Sequence, residues 1–236
     1  MFGDVPGFLR TILEGASTTL AVTAGGIVFA TVMSFVAGLA MLAPARSVRA
    51  VSRIYVEVWR GTSEIVQLFW IFLALPILVG IQLVPLWAGI LVIGLNGGAY
   101  GAEIVRGAVQ AVPRAQREGA VALNLSPFDR MRRVVLPQAL VDMVPPFNNL
   151  FIQLLKGSAL VSLVFLQDLT FQAQAVVLPT NTDQALTILT LLLLVYLALS
   201  IVITAAMRFL ERWAAALVGR QPSTRSREVA LSGGAA

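Results

Sequence analysis

The sequence predicts an all-α integral membrane protein with about five transmembrane helices. Hydrophobic residues make up 58% of its 236 residues. Only 12% are charged, against about 25% in an ordinary soluble domain. Uncharged runs of roughly twenty residues, the length that crosses a bilayer as a helix, recur along the chain. Cysteine and histidine are absent, which excludes disulfide frameworks, thiol nucleophiles and the usual zinc and haem ligands.

The first three spans are delimited by charges, prolines and glycines. Span one lies in the uncharged stretch 15–45. The uncharged run between Glu64 and Glu103 is long enough, at about 1.5 Å per residue, to cross a hydrocarbon core of about 30 Å twice. We therefore place span two near Ile65–Val79 and span three near Leu86–Val105. Proline and glycine should mark the reversal between them, at Pro76, Gly80 and Pro85.

Two further spans follow in the second half of the chain. Pro145 and Pro146 open a fourth apolar run that only Lys156 interrupts, and span five is the stretch "ALTILTLLLLVYLALSIVITAAM". We divide the chain into an extracytoplasmic segment, a transmembrane domain and a polar tail that we expect to be disordered. These parts are residues 1–14, 15–218 and 219–236.

The distribution of basic residues predicts the orientation. With the N-terminus outside and the C-terminus cytoplasmic, 15 of the 17 basic residues lie on the inner side, in agreement with the positive-inside rule. Only Arg10 falls outside, and Lys156 falls within a span. The basic residues flank apolar spans and form no single patch, which argues against nucleic-acid binding despite a net charge of +5. The first fifteen residues lack the pattern of a cleavable signal peptide.

A charged segment between spans three and four, residues 113–140, stands out in this apolar chain. It predicts a helix to about Leu123, ended by Asn124 in the left-handed conformation that asparagine adopts more readily than most residues. Ser126 is then the N-cap of a second helix that begins with Pro127. We expect Leu136-Pro137 to close this second helix. The result is a short exposed corner, which we call the elbow.

The local chemistry of the elbow leaves two interpretations open. The elbow could be an amphipathic connector resting on the inner leaflet, where arginines meet anionic lipid. Alternatively, it could insert Leu125 and Phe128 into a groove on a soluble partner and transmit movement to the spans. Sequence physics does not separate the two.

The elbow resembles the cytoplasmic EAA loop of permease subunits in bacterial ATP-binding-cassette importers. The matching residues are Glu118, Gly119, Ala120 and Asn124, followed by "VVLP" at 134–137. Two of them depart from the family pattern, which usually has alanine at Gly119 and glycine at Asn124. The resemblance implies that the elbow is the coupling helix region received by an ATPase. The implied coupling residues are Glu118, Gly119, Ala120, Asn124, Leu125, Ser126, Pro127, Phe128 and Arg130.

Resemblance extends to the polar amino acid branch of these permeases through "EVWRGTSEIVQLFWIFLALP", "NGGAYGAEIVRGAVQAVP" and "LLKGSALVSLVFLQDLT". That branch more usually has "KNTSL" where this chain has "KGSAL". The sequence along the chain also resembles that of permeases for ectoine and hydroxyectoine. The resemblance implies a bacterial inner-membrane importer with a cytoplasmic ATPase dimer, a second permease chain and an extracytoplasmic solute-binding protein. ATP and Mg²⁺ would bind the ATPase, since this chain lacks G-x-x-x-x-G-K-[ST].

Polar residues within the spans are candidates for the translocation path. Lys156 and Glu103 could bind the carboxylate and the ammonium group of a zwitterionic solute. Alternatively, they form a structural ion pair, or the lysine snorkels to the membrane surface. Asn149 and Gln153 precede the lysine on span four and could line the same cavity, or simply hydrogen-bond helices together.

Small residues recur on span three at four-residue spacing, at Gly94, Gly98 and Ala102, and let helices approach closely in lipid. They suit either a subunit interface along the path or ordinary packing inside one subunit.

Two other classes of protein compete with the importer. An ion-coupled secondary transporter or channel would often show internal repeats and titratable groups at membrane depth. The chain shows no convincing repeat, and Lys156 is the one clear deep candidate. An intramembrane enzyme is disfavoured because H-E-x-x-H and G-x-S-x-G are missing.

Overall fold

The computed structural model describes residues 4–80 and 82–217, and the regular secondary structure of this part of the chain is all helical, with no β-strand. We number its helices in chain order. They are α1 Val5–Glu14, α2 Ala16–Ala40, α3 Arg46–Gly61, α4 Glu64–Val79, α5 Pro85–Ala111, α6 Arg114–Ala122, α7 Pro127–Val164, α8 Leu169–Phe171 and α9 Ala185–Leu217. After α8 the chain continues as a π turn and a 3₁₀ turn to Thr180. The all-α class predicted from composition is confirmed.

Four of the described helices, α2, α5, α7 and α9, are long and apolar enough to cross a membrane. A fifth span is obtained if α3 and α4, which meet at a bend of 105°, count as one broken span. At about 1.5 Å per residue α4 is about 24 Å long, short of a core of about 30 Å. The predicted five spans are thus the upper count, and predicted span two is one arm of a bent pair.

The reversal after α4 is partly as predicted. Gly80 has a left-handed backbone, with φ 72°, and α5 begins at Pro85. Pro76, however, lies inside α4 and does not end it. A π turn at Trp70–Ala74 precedes it, and the Leu75 N–H donates to the Trp70 carbonyl. A local π adjustment of this kind makes room for a proline ring within a membrane helix.

The same adjustment explains the main error of the sequence-based prediction. Helix α7 is not closed at Leu136-Pro137, and Pro145-Pro146 does not start a separate helix. The helix runs through all three prolines to Gly157 and then tightens into a 3₁₀ turn, Ser158–Val164. A π turn at Arg130–Val135 comes first, and the Leu136 N–H donates to the Met131 carbonyl five residues back. The shifted register just before Pro137 relieves the clash that a proline causes in a regular helix.

The described residues form two compact units. The first comprises 4–107 with 146–204, and the second comprises 108–145 with 205–217. Of the predicted N-terminal segment 1–14, residues Val5–Glu14 form a helix capped by the Asp4 carboxylate, which accepts from Gly7 N at 3.1 Å. The predicted tail, 219–236, lies outside the described residues.

A buried cluster in the first unit joins α1 to α8 and the start of α9. Its apolar members are Phe8, Ile12, Leu169, Ala173, Val177, Ile188 and Leu192. The cluster is oriented by polar contacts at its edge: Leu169 N donates to Thr19 Oγ1 at 3.1 Å, and Phe171 N donates to Asp168 Oδ1 at 2.8 Å. Asp168 is fully buried. A short helix near the N-terminus is thereby held against the segment after α7.

Helix α3 is tied to α5 within the same unit. The Tyr55 hydroxyl donates to the Leu95 carbonyl at 2.7 Å, and the Arg60 guanidinium lies 5.0 Å from the centre of the Tyr100 ring. A cation over an aromatic face at this distance is attractive. Both contacts brace the bent α3–α4 pair against a spanning helix.

Candidate functional site

The elbow has the backbone that its sequence predicts. Asn124 is left-handed, with φ 55°. Its N–H donates to the Val121 carbonyl at 2.8 Å, and the Leu125 N–H donates to the Ala120 carbonyl at 3.1 Å. This pair of bonds is the Schellman motif, which satisfies carbonyls at a helix C-terminus. The predicted end of the first elbow helix is confirmed to within one residue.

The second half of the elbow begins at a capped helix end. The Ser126 hydroxyl accepts from Asp129 N at 3.1 Å and is 2.7 Å from Asp129 Oδ2. Pro127 occupies the first turn, as predicted. Asp129 also pairs with Arg133 at 3.2 Å. The N-cap prediction for Ser126 is confirmed, and the corner is therefore fixed on both sides by bonds between near neighbours.

The elbow presents apolar side chains at its surface. Leu123 is 77% exposed and Phe128 is 70% exposed, whereas Leu125 is half-buried. The other predicted coupling residues divide between surface and interior. Ala120 is buried and Arg130 is half-buried; the exposed ones are Glu118, Gly119, Asn124, Ser126 and Pro127. A rigid corner with two exposed large apolar groups is a surface for lipid or for a protein groove.

A polar stripe runs along α7 in the first unit. Asn149, Gln153 and Lys156 are all exposed and follow one another at i, i+4 and i+7, which places them on one face of the helix. Leu150, 4% exposed, and Leu154, 2% exposed, form the buried face. Among the described residues Lys156 forms no ion pair. Polar groups on a membrane helix face protein or water in preference to lipid, so this stripe is a candidate path surface.

The predicted partner of Lys156 has a different contact. Glu103 Oε2 lies 2.6 Å from Arg106 Nη2 and accepts from Arg106 Nε at 2.8 Å. This is an i, i+3 pair on α5 itself. The structure therefore does not bring Glu103 and Lys156 together as an ion pair within the part of the chain described. The role of Glu103 in the path stays a prediction.

The small-residue ridge on α5 is occupied by the subunit's own helices. A Cβ added to Gly94 would overlap the Phe29 ring, and one added to Gly98 would lie 2.6 Å from Met33 Cβ. Ala102 is completely buried beside Ala37. These contacts are with α2, which corresponds to the packing interpretation of the ridge. Small residues allow the backbones of two membrane helices to approach closely.

Sequence reasoning missed a contact between α4 and α7. Glu64, the first residue of α4, is half-buried, and its side chain lies beside Gly157, where α7 tightens. A Cβ added to Gly157 would lie 3.2 Å from Glu64 Oε1 and 3.7 Å from its Cδ. The signals available in the sequence were an acidic residue at the start of an uncharged run and the glycine in "KGSAL". Neither signal shows that the two residues meet.

A buried amide pair holds the α3–α4 corner next to this contact. Gln67 Nε2 donates to the Trp59 carbonyl at 2.9 Å and to Thr62 Oγ1 at 2.6 Å. Asn96 Nδ2, from α5, donates to the same Trp59 carbonyl at 3.0 Å and to Gln67 Oε1 at 3.3 Å. Satisfied buried polar networks make a local structure rigid. The start of α4 is therefore positioned by hydrogen bonds to two other helices.

Comparison with known proteins adds independent information on this chain. Residues 26–215 match the family described as binding-protein-dependent transport system inner membrane component. A protein of Sinorhizobium fredii described as a probable amino-acid ABC transporter permease is 43% identical over 215 residues, covering 87% of this chain and 90% of the relative. The glutamine transport system permease protein of Escherichia coli is 34% identical, covering 85% and 91%.

Solved structures share the fold. A structure described as an amino acid ABC transporter with histidines has a TM-score of 0.79 and 28% identity, covering 90% of this chain and 99% of that chain. An inward-facing methionine ABC transporter has a TM-score of 0.71 at 22% identity, covering 91% and 99%. The second likeness concerns the fold alone.

Proposed function

Since the chain belongs to the family of binding-protein-dependent transport system inner membrane components, we propose that it is the permease of an ATP-driven importer for a polar amino acid or similar zwitterionic solute. Family membership favours this function over a secondary transporter or channel, and the chain is a multi-pass protein of the inner membrane. The amino-acid and glutamine permeases among its relatives support the substrate class. Ectoine stays a prediction from the sequence.

The observation that carries the proposal is the elbow, because it exposes Leu123 and Phe128 on a backbone fixed by Asn124 and Ser126. With the N-terminus outside, the elbow lies in the cytoplasm, and the arginine distribution supports that orientation. The elbow then docks into a groove of an ATP-binding subunit. Large apolar groups at the centre of such a contact contribute most of its affinity.

Hydrolysis of ATP belongs to a separate subunit in this proposal. The importer contains two ATP-binding subunits with ATP and Mg²⁺, two permease chains, identical or homologous, and an extracytoplasmic solute-binding protein. The charged and polar stripe Asn149, Gln153 and Lys156 supports the second permease chain, because a neighbouring chain and the path between the two would cover it. Glu103 is proposed for the same path, at the inner end of α5.

Transport proceeds by alternating access. ATP binding closes the ATPase dimer, the docked elbows follow, and the spans open outward to receive solute; hydrolysis returns them to the inward-facing state. Each ligand shifts this equilibrium only by binding one state more tightly than the other. A stiff elbow suits this role, because local bonds rather than long loops connect the docking surface to α7.

The docking step is tested by co-expressing this chain with the ATP-binding subunit of its importer and measuring how much of that subunit co-purifies. Replacing Phe128 by aspartate should reduce the co-purified ATPase by about tenfold or more, because a charge would enter an apolar groove. Phe165→Asp is the matched control, since Phe165 is 82% exposed and lies in the first unit. Equal recovery of the ATPase with both variants would contradict elbow docking.

The transport step is tested in proteoliposomes that contain the complete importer. We expect ATP-dependent uptake of at least one member of a panel of L-glutamine, L-histidine and ectoine, with the solute-binding protein present. Uptake that persists without ATP and follows a proton or sodium gradient would support the secondary transporter instead.

A further inference from the structure

The contact between Glu64 and Gly157 creates a carboxylate site inside the bundle. Helix α4 packs against the 3₁₀ end of α7, and the absence of a side chain at Gly157 leaves the space in which the Glu64 carboxylate lies. An added Cβ at 157 would be 3.2 Å from Oε1, so even alanine would shift that carboxylate by a few tenths of an ångström and longer side chains would move it further. Gly157 has an ordinary right-handed backbone, with φ −63°. Room for Glu64, rather than backbone freedom, is therefore what this glycine provides.

The carboxylate has no cationic partner in the described residues. Lys156 is adjacent to Gly157 in sequence, yet no ammonium or guanidinium lies within the 4.0 Å that defines an ion pair with Glu64. The described residues give the Glu64 side chain no hydrogen-bond donor either. An acidic group among membrane helices is costly and is normally matched by a cation or by water. Its half-buried state leaves part of the side chain accessible to a ligand.

The helix turn that carries Glu64 is held in place by hydrogen bonds to neighbouring helices. Gln67, one turn along α4, is bonded to Asn96 on α5 and to the Trp59 carbonyl on α3. Glu64 therefore has a rigid base while its own head group remains unpaired. A preorganised charged group with a free face is the arrangement that ligand sites use to select one functional group.

We propose that Glu64, in the space left by Gly157, binds the cationic amino group of the transported solute and determines the requirement for that group. The inference rests on the proposed importer function and adds the residue that selects the substrate class. Lys156, exposed beside the pair, is the group available to the solute carboxylate. Glu64 thus takes the role that the sequence suggested for Glu103, which is paired with Arg106.

The test measures binding of solute to the permease–ATPase complex in nanodiscs, without the solute-binding protein. The probes are L-glutamine and L-histidine, each compared with its analogue that lacks the amino group, glutaramic acid and imidazolepropionic acid. For Glu64→Gln we expect affinity for the amino acid that the wild type binds to fall about tenfold or more, because a charge-assisted bond is lost. Affinity for the matching analogue should stay within about twofold.

A second variant, in which the carboxylate is moved to α7, distinguishes binding of the amino group from a structural role of Glu64. In the double variant Glu64→Ala, Gly157→Asp, the shortened side chain at 64 makes room and the carboxylate returns from α7. We expect this variant to recover the preference for the amino acid over its analogue, whereas Glu64→Ala alone should not. Asp183→Asn, an exposed carboxylate in the first unit, is the matched control and should bind as wild type.

The outcomes distinguish the inference from the proposed function. A wild-type complex that imports none of L-glutamine, L-histidine and ectoine with ATP contradicts the proposed function, whatever Glu64 does. Import of ectoine alone overturns the inference, because ectoine carries no free amino group. Import by the wild type combined with unchanged binding in Glu64→Gln overturns the inference alone. Equal weakening of amino acid and analogue, or loss of the ATPase from the purified Glu64→Gln complex, would show a structural role for Glu64 and would also overturn it.

Discussion

The elbow and the α4–α7 contact are built by opposite means. In the elbow every defining bond joins residues at most five apart, as from Leu125 N to the Ala120 carbonyl. In the α4–α7 contact Glu64 meets Gly157 from far along the chain, and the pair depends on α5 and α3 to hold the corner. Short-range bonds form wherever the local sequence permits them. A long-range contact exists only after the helices have packed.

The two regions also expose opposite kinds of side chain. The elbow exposes Leu123 and Phe128, and α7 exposes Asn149, Gln153 and Lys156 within a helix able to span the membrane. Apolar side chains exposed to water and polar side chains exposed to lipid both raise the free energy of the protein. In both regions the exposed group therefore indicates the chemistry of what covers it: an apolar surface at the elbow, and a polar one at α7.

The largest effect expected from this comparison is in the long-range packing. A Cβ at Gly101 would collide with Ser34 Oγ and lie 3.3 Å from Leu150, so Gly101→Leu should lower the free energy of unfolding by about 3 kcal/mol or more. Gly107→Ala, on the same helix with open space around it, should instead stabilise by about 0.5–1 kcal/mol. Thermal unfolding followed by tryptophan fluorescence measures both. Equal melting of the two variants would contradict the packing described for α5.

A smaller effect is expected at the elbow turn. Asn124→Ala places an alanine in the left-handed region and should destabilise the elbow by about 1–2 kcal/mol. Asn124→Gly should be neutral or nearly so, because glycine adopts this conformation without strain. Hydrogen exchange at the amides of Asn124 and Leu125 reports the local stability directly. Slow exchange retained in the alanine variant would show that the Schellman bonds do not depend on residue 124.

The N-cap of α7 should contribute about 1 kcal/mol. Ser126→Ala removes the acceptor for Asp129 N, whereas Ser126→Asp retains one. We expect faster proteolysis at the elbow in the alanine variant and wild-type resistance in the aspartate variant. If the alanine variant were cleaved no faster than wild type, the cap would be shown to contribute little.

The smallest effect concerns Asp168, which is buried outside the spanning helices. Burial raises the pKa of its carboxyl group above the usual value, although hydrogen bonds from Phe171 and Thr170 partly oppose this. The folded chain thus holds this proton at higher pH than the unfolded chain does. Protonation of Asp168 therefore stabilises the folded state. This stabilisation is complete below the usual aspartate pKa and is lost as pH rises through the raised pKa.

Asp168→Asn isolates that contribution. Asparagine caps Phe171 about as well as aspartate, so the variant should be as stable as wild type at low pH and more stable by roughly 0.5 kcal/mol at pH 8. Unfolding of both proteins at pH 3 and pH 8 measures the difference. A variant less stable than wild type at pH 8 would reverse the sign and contradict the burial argument.

Much of the elbow was predictable because its geometry follows from residue chemistry. Asparagine tolerates positive φ, serine caps, and proline suits a first turn, so Asn124, Ser126 and Pro127 were identified without any knowledge of their surroundings. Helix α2 and the start of α5 were predictable for a similar reason, since length and hydropathy determine which segments can cross a membrane.

Proline was the main source of error. The sequence predicts helix boundaries at Pro137 and at the Pro145-Pro146 pair, and Pro76 as one marker of the reversal, yet all of these prolines lie inside helices. In a regular helix a proline ring clashes with the preceding turn, so a helix usually ends nearby. The chain instead inserts π turns before Pro76 and Pro137, and the shifted register makes room for each ring. Sequence rules that treat proline as a helix end do not anticipate these turns.

By itself the sequence determined the all-α class, the number of spans to within one, and the elbow with its left-handed Asn124. Those features depend on hydropathy and on backbone preferences within a few residues. Only the tertiary structure decided that α3 and α4 bend by 105°, that Gly94 and Gly98 of α5 face α2, and that Glu64 lies beside Gly157. The reason is that close approach between distant segments depends on which helices become neighbours, and no local pattern specifies that.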